Sequence, residues 1–325
     1  MGRYDGDRGG WGRDAGRRAR GQGVSAPHGR FPRGGKFETL FLNDQHMIRL
    51  IAIDLDGTLL DSHWQVPEAN RRALERAIER GIHIVLVTGR RFSFALPVTA
   101  NLHDDIALIV NNGALIKSPE GETLLRRLLP RDVARKVIAA TSEFRPGTAL
   151  VFDRPEDSQI VFEHIDWDDP GRRAYFERNR QYLKEICPIE NSLTEDPIQV
   201  MYTGPVVEMR RLVAKLRSLP FAGEFSIAVA EYEARDFSIV DVIEHSCSKG
   251  SALAAWAAHL GIDREEILAI GDNLNDREML DFAGQAVVMG NASEELKSLG
   301  WPVTLSNDDG GVAAAIEQYV LADHP

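Results

Sequence analysis

The stretch Arg49-Leu50-Ile51-Ala52-Ile53-Asp54-Leu55-Asp56-Gly57-Thr58-Leu59-Leu60 decides how the rest of the chain is read. Its first half is a short apolar run rich in β-branched residues, the pattern of a strand buried on both faces, and it ends at Asp-x-Asp-Gly. In an open parallel sheet, ligands sit beyond the carboxyl ends of the strands. The carboxylates of Asp54 and Asp56, two residues apart at such an exit, can face one site, and Gly57 lets the chain turn sharply there. A pair of this kind suits Mg²⁺, which takes one or two carboxylates together with phosphate oxygens and water.

Outward from this stretch the pattern alternates. Residues 67–80 carry apolar side chains at helical spacing, with Pro67 at the start and Gly81 after the end. Residues 82–87 and 106–110 read as further buried strands, with a helix expected near 92–102. Strand, helix, strand, helix, strand with short connections predicts a parallel sheet covered on both faces. Beyond Gly113 the texture changes to a hairpin over 114–129, turning at Pro119-Glu120-Gly121. A helix over 131–144 follows, then strands near 198–203, 225–230 and 237–243 around a helix at 206–219. From Ser248 the first rhythm returns, with helices at 248–260, 275–282 and 293–299, strands at 267–270 and 286–289, and a last helix from Gly311. The expected architecture is a Rossmann-like α/β core from residues 47–116 and 244–325, interrupted by an inserted α+β cap domain at 117–243.

Residues 1–46 stand apart. They hold nine basic residues against five acidic ones and 11 of the 28 glycines, so the acidity of the whole chain (net −11) lies beyond them. Gly-Arg runs such as Arg8-Gly9-Gly10-Trp11-Gly12-Arg13 cannot bury enough apolar surface to offset ordering entropy, and this segment is expected to be a disordered tail. It lacks the apolar stretch of a secretory signal. Arg-Gly segments with aromatics can bind RNA, so nucleic acid is expected at most through this tail. The acidic body argues against general nucleic-acid binding. No apolar run reaches the ~18–20 residues of a membrane span. Two cysteines, Cys187 and Cys247, make no disulfide framework or zinc site, and the expected setting is a reducing cytoplasm.

Three further stretches carry polar chemistry at element junctions. Thr88-Gly89-Arg90 follows the second strand, where a hydroxyl and backbone N–H groups leading into a helix make an anion site. Lys249, in Ser248-Lys249-Gly250, opens a helix, where a cation is unfavourable to the dipole unless an anion lies near. Gly271-Asp272-Asn273-Leu274-Asn275-Asp276 leaves the strand at 267–270, and a helix cap accounts for one of its two acids, not both.

In order, these four stretches resemble the motifs of the haloacid dehalogenase (HAD) superfamily of phosphohydrolases: DxDGT at Asp54–Thr58, a Thr at Thr88, a Lys at Lys249 and GDNxND at Gly271–Asp276. Asn112-Gly113 is similar to the Asn-Gly of one branch, and the position of the insertion resembles the Cof-type, or IIB, branch. The resemblance implies a HAD fold and an Mg²⁺-dependent phosphatase of a small phosphorylated metabolite, with sugar phosphates first. A phosphomutase on the same core and a non-catalytic phosphometabolite-binding protein are the alternatives. It further implies Asp54 as nucleophile, and Asp56 as general acid and then base. Lys249 would offset charge, and Thr88, Gly89, Arg90, Asn112 and Asn275 would lie around phosphate and substrate. Mg²⁺ would be held by Asp54, the Asp56 carbonyl and Asp272, with Asp276 also among the metal residues and, with Asn275, orienting Lys249, metal water or phosphate. Asp56 favours phosphoryl transfer over dehalogenation, because dehalogenation needs no leaving-group acid there. His63, Trp64, His164, Trp167, Arg235 and Asp236 are unranked candidates for substrate contact. The substrate and the oligomeric state are not legible.

Overall fold

The computed structural model describes residues 47–99, 102–103, 106–154 and 157–322. The expected tail at 1–46 lies outside the described residues.

The first strand is β1 (Leu50–Asp54), and all five of its residues are buried. Their side chains alternate between two apolar layers: Ile51 and Ile53 face one, Leu50 and Ala52 the other. This is why the run has no polar positions. Helix α1 (Glu68–Glu79) leads to β2 (His83–Val87), and α2 (Phe92–Thr99) precedes β3 (Ala107–Val110). The hairpin strands β4 (Leu115–Lys117) and β5 (Thr123–Arg126) follow. Both hydrogen-bond into the same sheet as β1, so that sheet runs in sequence to Arg126.

A second set of elements comes next: α3 (Arg131–Ala140), β6 (Thr148–Val151), β7 (Ile160–Phe162), α4 (Arg173–Asn179), β8 (Leu183–Glu185), β9 (Gln199–Gly204), α5 (Val206–Ser218), β10 (Phe225–Tyr232) and β11 (Phe237–Glu244). Their strands form a separate six-stranded sheet in the order β10-β11-β9-β6-β7-β8. One face packs on α3 and α5 through Val200, Tyr202, Val240 and Val242. Residues of the opposite face, among them Ala149, Val151, Met201 and Ile243, join the same apolar cluster as Ile53 and Leu55 beneath them.

The chain then returns with α6 (Lys249–Leu260), β12 (Ile267–Gly271), α7 (Arg277–Phe282), β13 (Gln285–Val288), α8 (Glu294–Lys297) and α9 (Gly311–Ile316). The first sheet has seven strands in the order β13-β12-β1-β2-β3-β4-β5, parallel from β13 to β3. From β1 the chain builds toward β3, and on its return it builds from β12 toward β13. The strand order therefore reverses between β1 and β12, the place where ligands bind in open α/β sheets. Asp54 and Gly271 end those two strands.

Candidate active site

Lys249 is the centre of the arrangement. The Ser248 hydroxyl caps α6 by accepting from Ser251 N at 3.0 Å, and the Ser251 hydroxyl accepts from Ser248 N at 3.0 Å. This fixes Lys249 at the first helical position, 2% exposed, where no solvent can neutralise its charge. Its Nζ donates to Asp54 Oδ1 and to Asp276 Oδ1, each at 2.6 Å. The anion that the sequence requires near this helix start is therefore a pair of carboxylates. Burial alone would lower the lysine; the charges of Asp276 and Asp54 outweigh it and hold the ammonium above the ordinary lysine range.

Asp276 has no free oxygen, since its Oδ2 accepts from Asp272 N at 3.1 Å and Asn273 N at 3.0 Å. It is a strut that ties the turn after β12 to Lys249. Gly271 makes room for it, because a Cβ there would lie 2.6 Å from Asp276 Cβ. Asp272 accepts from the Thr58 hydroxyl at 3.1 Å. Gly57 has φ +82°, and a Cβ on it would come within 2.4 Å of Asp272 Oδ2, so only glycine fits between the two acidic stretches.

Oxygens of Asp54, Asp272 and Asp276 all lie within 4.8 Å of one another. Burial, then the neighbouring Asp276 charge, pushes the Asp54 carboxyl well above the usual carboxylate range, with Lys249 opposing. Burial and Asp276 likewise push Asp272 up to about 7. One ammonium does not balance three carboxylates, and a hard dication with oxygen ligands is what this donor set fits.

Around the cluster the other sequence candidates divide. Both Asp56 oxygens accept from Arg90, Nε to Oδ2 at 2.9 Å and Nη2 to Oδ1 at 2.5 Å. The Arg90 guanidinium also lies 5.0 Å from the centre of the Trp64 ring. Thr88 is fully buried, and its hydroxyl accepts from Arg90 N at 3.1 Å. Asn112 sits over Gly89, where a Cβ would be 2.8 Å from its Oδ1. Asn275 is exposed on the turn after β12. His63 is exposed as well. The remaining candidates make contacts outside this cluster: His164 pairs with Glu185 at 3.1 Å, Trp167 packs on Phe176, and Asp236 accepts from Val206 N at 3.0 Å to cap α5. Arg235 is exposed beside Asp236.

Several residues escaped the sequence reading. Asn291 donates to Gly57 O at 2.8 Å, Asn307 donates to Leu60 O at 2.9 Å, and Asp308 accepts from Ser62 N at 2.8 Å. Together they pin the loop that follows Asp54. Asn291 carries a usable signal: like the other site stretches, it comes just beyond a strand exit. Tyr232, at the end of β10, lies within the fields of Asp56 and Arg90, and burial, reinforced by Asp56, pushes its phenol up. Gln199 and Asp241 contact Asn111 and Asn112 from the second sheet. Asp241 is an acid inside the apolar run Ile239-Val240-Asp241-Val242-Ile243, a detectable sign of a buried polar contact.

A family model of haloacid dehalogenase-like hydrolases matches residues 51–316. The HMP-PP phosphatase of Serratia proteamaculans is 33% identical over 261 residues, covering 78% of this chain and 88% of that protein. Phosphatase YwpJ of Bacillus subtilis is 33% identical over 283 residues, 82% of this chain and 98% of that protein. Among solved structures, a haloacid dehalogenase-like hydrolase from Bacteroides thetaiotaomicron superposes with a TM-score of 0.70 at 27% identity, covering 83% of this chain and 99% of that one.

Proposed function

The chain belongs to the haloacid dehalogenase-like hydrolases and is a phosphatase of the Cof type, and from that premise we propose that it is an Mg²⁺-dependent hydrolase of a small phosphorylated metabolite that works through an aspartyl-phosphate at Asp54. The observation that carries the reading is the buried Lys249 bridging Asp54 and Asp276 beside Asp272.

Lys249 occupies one oxygen of Asp54, which leaves Oδ2 to attack phosphorus. The Asp54 oxygen–phosphorus bond forms as the bond to the leaving oxygen breaks. Asp56 gives its proton to that oxygen, then takes one from the water that hydrolyses the aspartyl-phosphate and restores the Asp54 carboxylate. Asp56 is held by Arg90, so it can act on a proton only when Arg90 is drawn off, and a phosphate dianion is the competing partner for the guanidinium. The Thr88 hydroxyl accepts from Arg90 N and keeps its own hydrogen for a phosphoryl oxygen. Asp54, the Asp56 carbonyl and Asp272 are the residues to hold Mg²⁺, whose contribution is Lewis-acid neutralisation of the phosphoryl oxygens.

On the leaving-group side, we assign the segment that carries the second sheet, with Tyr232 and Asp241, as the cap. Tyr232 and Trp64 give an exposed aromatic surface beside Arg90 suited to stacking on a ring-shaped leaving group, and sugar phosphates are the first class to test. The deciding experiment is phosphate release from sugar phosphates, nucleotides and cofactor phosphates with Mg²⁺ and with excess EDTA. The reading expects Mg²⁺-dependent turnover of at least one class. Full activity after chelation and dialysis overturns the metal role.

A further inference from the structure

Asn111, Asn112 and Gly113 form a turn between β3 and β4 that touches three other parts of the molecule at once. Both asparagines have positive φ, 51° and 55°, a conformation asparagine adopts more readily than most residues. Their backbone is bound to the second site stretch, Asn112 N to Thr88 O at 3.1 Å and Asn111 N to Arg90 O at 2.9 Å. Gly113 presses on the start of α6, where a Cβ would lie 2.2 Å from Ser248 O. Their side chains instead reach into the second sheet. Asn112 Nδ2 donates to Asp241 Oδ2 at 3.3 Å, and Asn111 Nδ2 donates to Gln199 Oε1 at 3.2 Å. Gln199 Nε2 closes the chain on Asp241 Oδ1 at 2.6 Å.

Asp241 is 7% exposed, and its two oxygens are held by the amides of Asn112 and Gln199. A buried carboxylate held only by amides is unfavourable compared with a neutral side chain. In the structure both of its oxygens accept, one from each amide, and this dictates which way the two amides point. Gln199 must present its Nε2, which leaves its oxygen for Asn111. Asn112 must present its Nδ2, which leaves its oxygen against Gly89.

We propose that Asp241, with Gln199, is a positioning residue that sets the Asn111–Asn112 turn, and through it the Thr88–Arg90 loop, only while the second sheet is seated on the core. The phosphate loop then takes its working geometry when the cap is in place. This inference rests on the function proposed above. A displacement of about 1 Å at such a loop is enough to cost roughly 10²-fold in rate.

The test is a double-mutant cycle of Asp241→Ala and Asn112→Ala in the full chain, read as kcat and KM for para-nitrophenyl phosphate with saturating Mg²⁺. Each single variant is expected to lower kcat about 10–100-fold with little change in KM. The double variant is expected to be no worse than the weaker single one, and Asp241→Asn to recover part of the loss. Effects that multiply in the double variant overturn the proposal. So does an Asp241→Ala protein that melts earlier yet keeps its kcat per folded molecule, since that is a merely structural role. Should Asp241→Ala not fold, the cycle is run with Asp241→Asn and the same results decide. Asp54→Asn is measured alongside: activity remaining there overturns the proposed function itself, whereas a multiplicative cycle with Asp54→Asn inactive overturns the positioning role alone.

Discussion

The two sheets carry their polar residues in different ways. In the seven-stranded sheet, Asp54 and Gly271–Asp276 sit at or beyond strand ends, where the backbone turns away from the ladder. In the six-stranded sheet, Gln199 opens β9 and Asp241 sits inside β11, each flanked by apolar neighbours. Chemistry at a strand exit depends on a local run of a few residues. Chemistry on a sheet face depends on which strands are neighbours and in what register. Asp241 pairs with Met201 on one side and Ala228 on the other, residues far from it in sequence. The first kind of site keeps its residues together in sequence, and the second scatters them.

The sharpest way to break this contrast is at the core. Asp54→Asn is expected to lower kcat by at least about 10⁴-fold, because a neutral amide cannot form the acyl-phosphate. Phosphate release from any accepted substrate measures it, and near-normal turnover would move the nucleophile elsewhere. Asp56→Asn is expected to keep phosphate binding and lose roughly 10²–10⁴-fold in rate.

A smaller effect is expected at Gly57. Alanine there meets Asp272 Oδ2 at 2.4 Å in a backbone of φ +82°, so Gly57→Ala is expected to displace Asp272. The Mg²⁺ concentration for half-maximal activity should rise about 10–100-fold, as it does when a ligand's support is lost. An unchanged Mg²⁺ titration would show that Asp272 is not a ligand.

Smaller again is the effect of the other sheet. Tyr232→Ala is expected to raise KM for the accepted metabolite by about 10-fold, the range of one lost side-chain contact, while inhibition by free phosphate stays constant. Equal losses in both would place Tyr232 with the phosphate-binding residues and blur the distinction between the regions.

The smallest effect is on stability, and it separates the two buried acids. Asp241 and Asp272 both stand at about 7, raised chiefly by burial. The folded chain then holds protons there that the unfolded chain releases near pH 4, so the stability these two groups contribute is greatest at the acid end and is lost as pH rises from about 4 to 7. In EDTA these two groups together are expected to lower the melting temperature by a few degrees across that window. Mg²⁺ should remove the part due to Asp272 and leave the part due to Asp241, whereas Asp241→Asn should do the reverse. A melting profile against pH that is the same in EDTA, in Mg²⁺ and in Asp241→Asn would contradict both assignments.

The same contrast explains what could be read in advance. The parallel sheet, the helices and the acidic exits follow from runs of five to ten residues, and Lys249 at a helix start announces its own counter-ions. The pairing of Arg90 with Asp56, the Asn291 and Asn307 braces and the reach of Asn112 to Asp241 depend on how distant loops dock. The same holds for β4 and β5, which read as a hairpin but not as members of the first sheet. Of the aromatic candidates, Trp64 was visible in sequence, and its contact with Arg90 comes from the chain turning back at positive φ.

The reversal of strand order between β1 and β12 also bears on how the protein is made. Leu50 pairs with Ile267, and more than 200 residues must be synthesised before that pair can form. β1 to β5 leave the ribosome as a five-stranded patch whose parallel edge at β1 is bare, open to wrong partners until β12 arrives. Bringing ends so far apart in the chain together is a slow, non-local closure, though its entropic penalty grows only with the logarithm of the span. The order of events follows: the six-stranded sheet is complete in sequence by Glu244 and can fold first, shortening the effective gap that β12 has to cross. Lys249, Asp272 and Asp276 reach Asp54 only with that last closure, so the cluster around Lys249 assembles after the rest of the sheet.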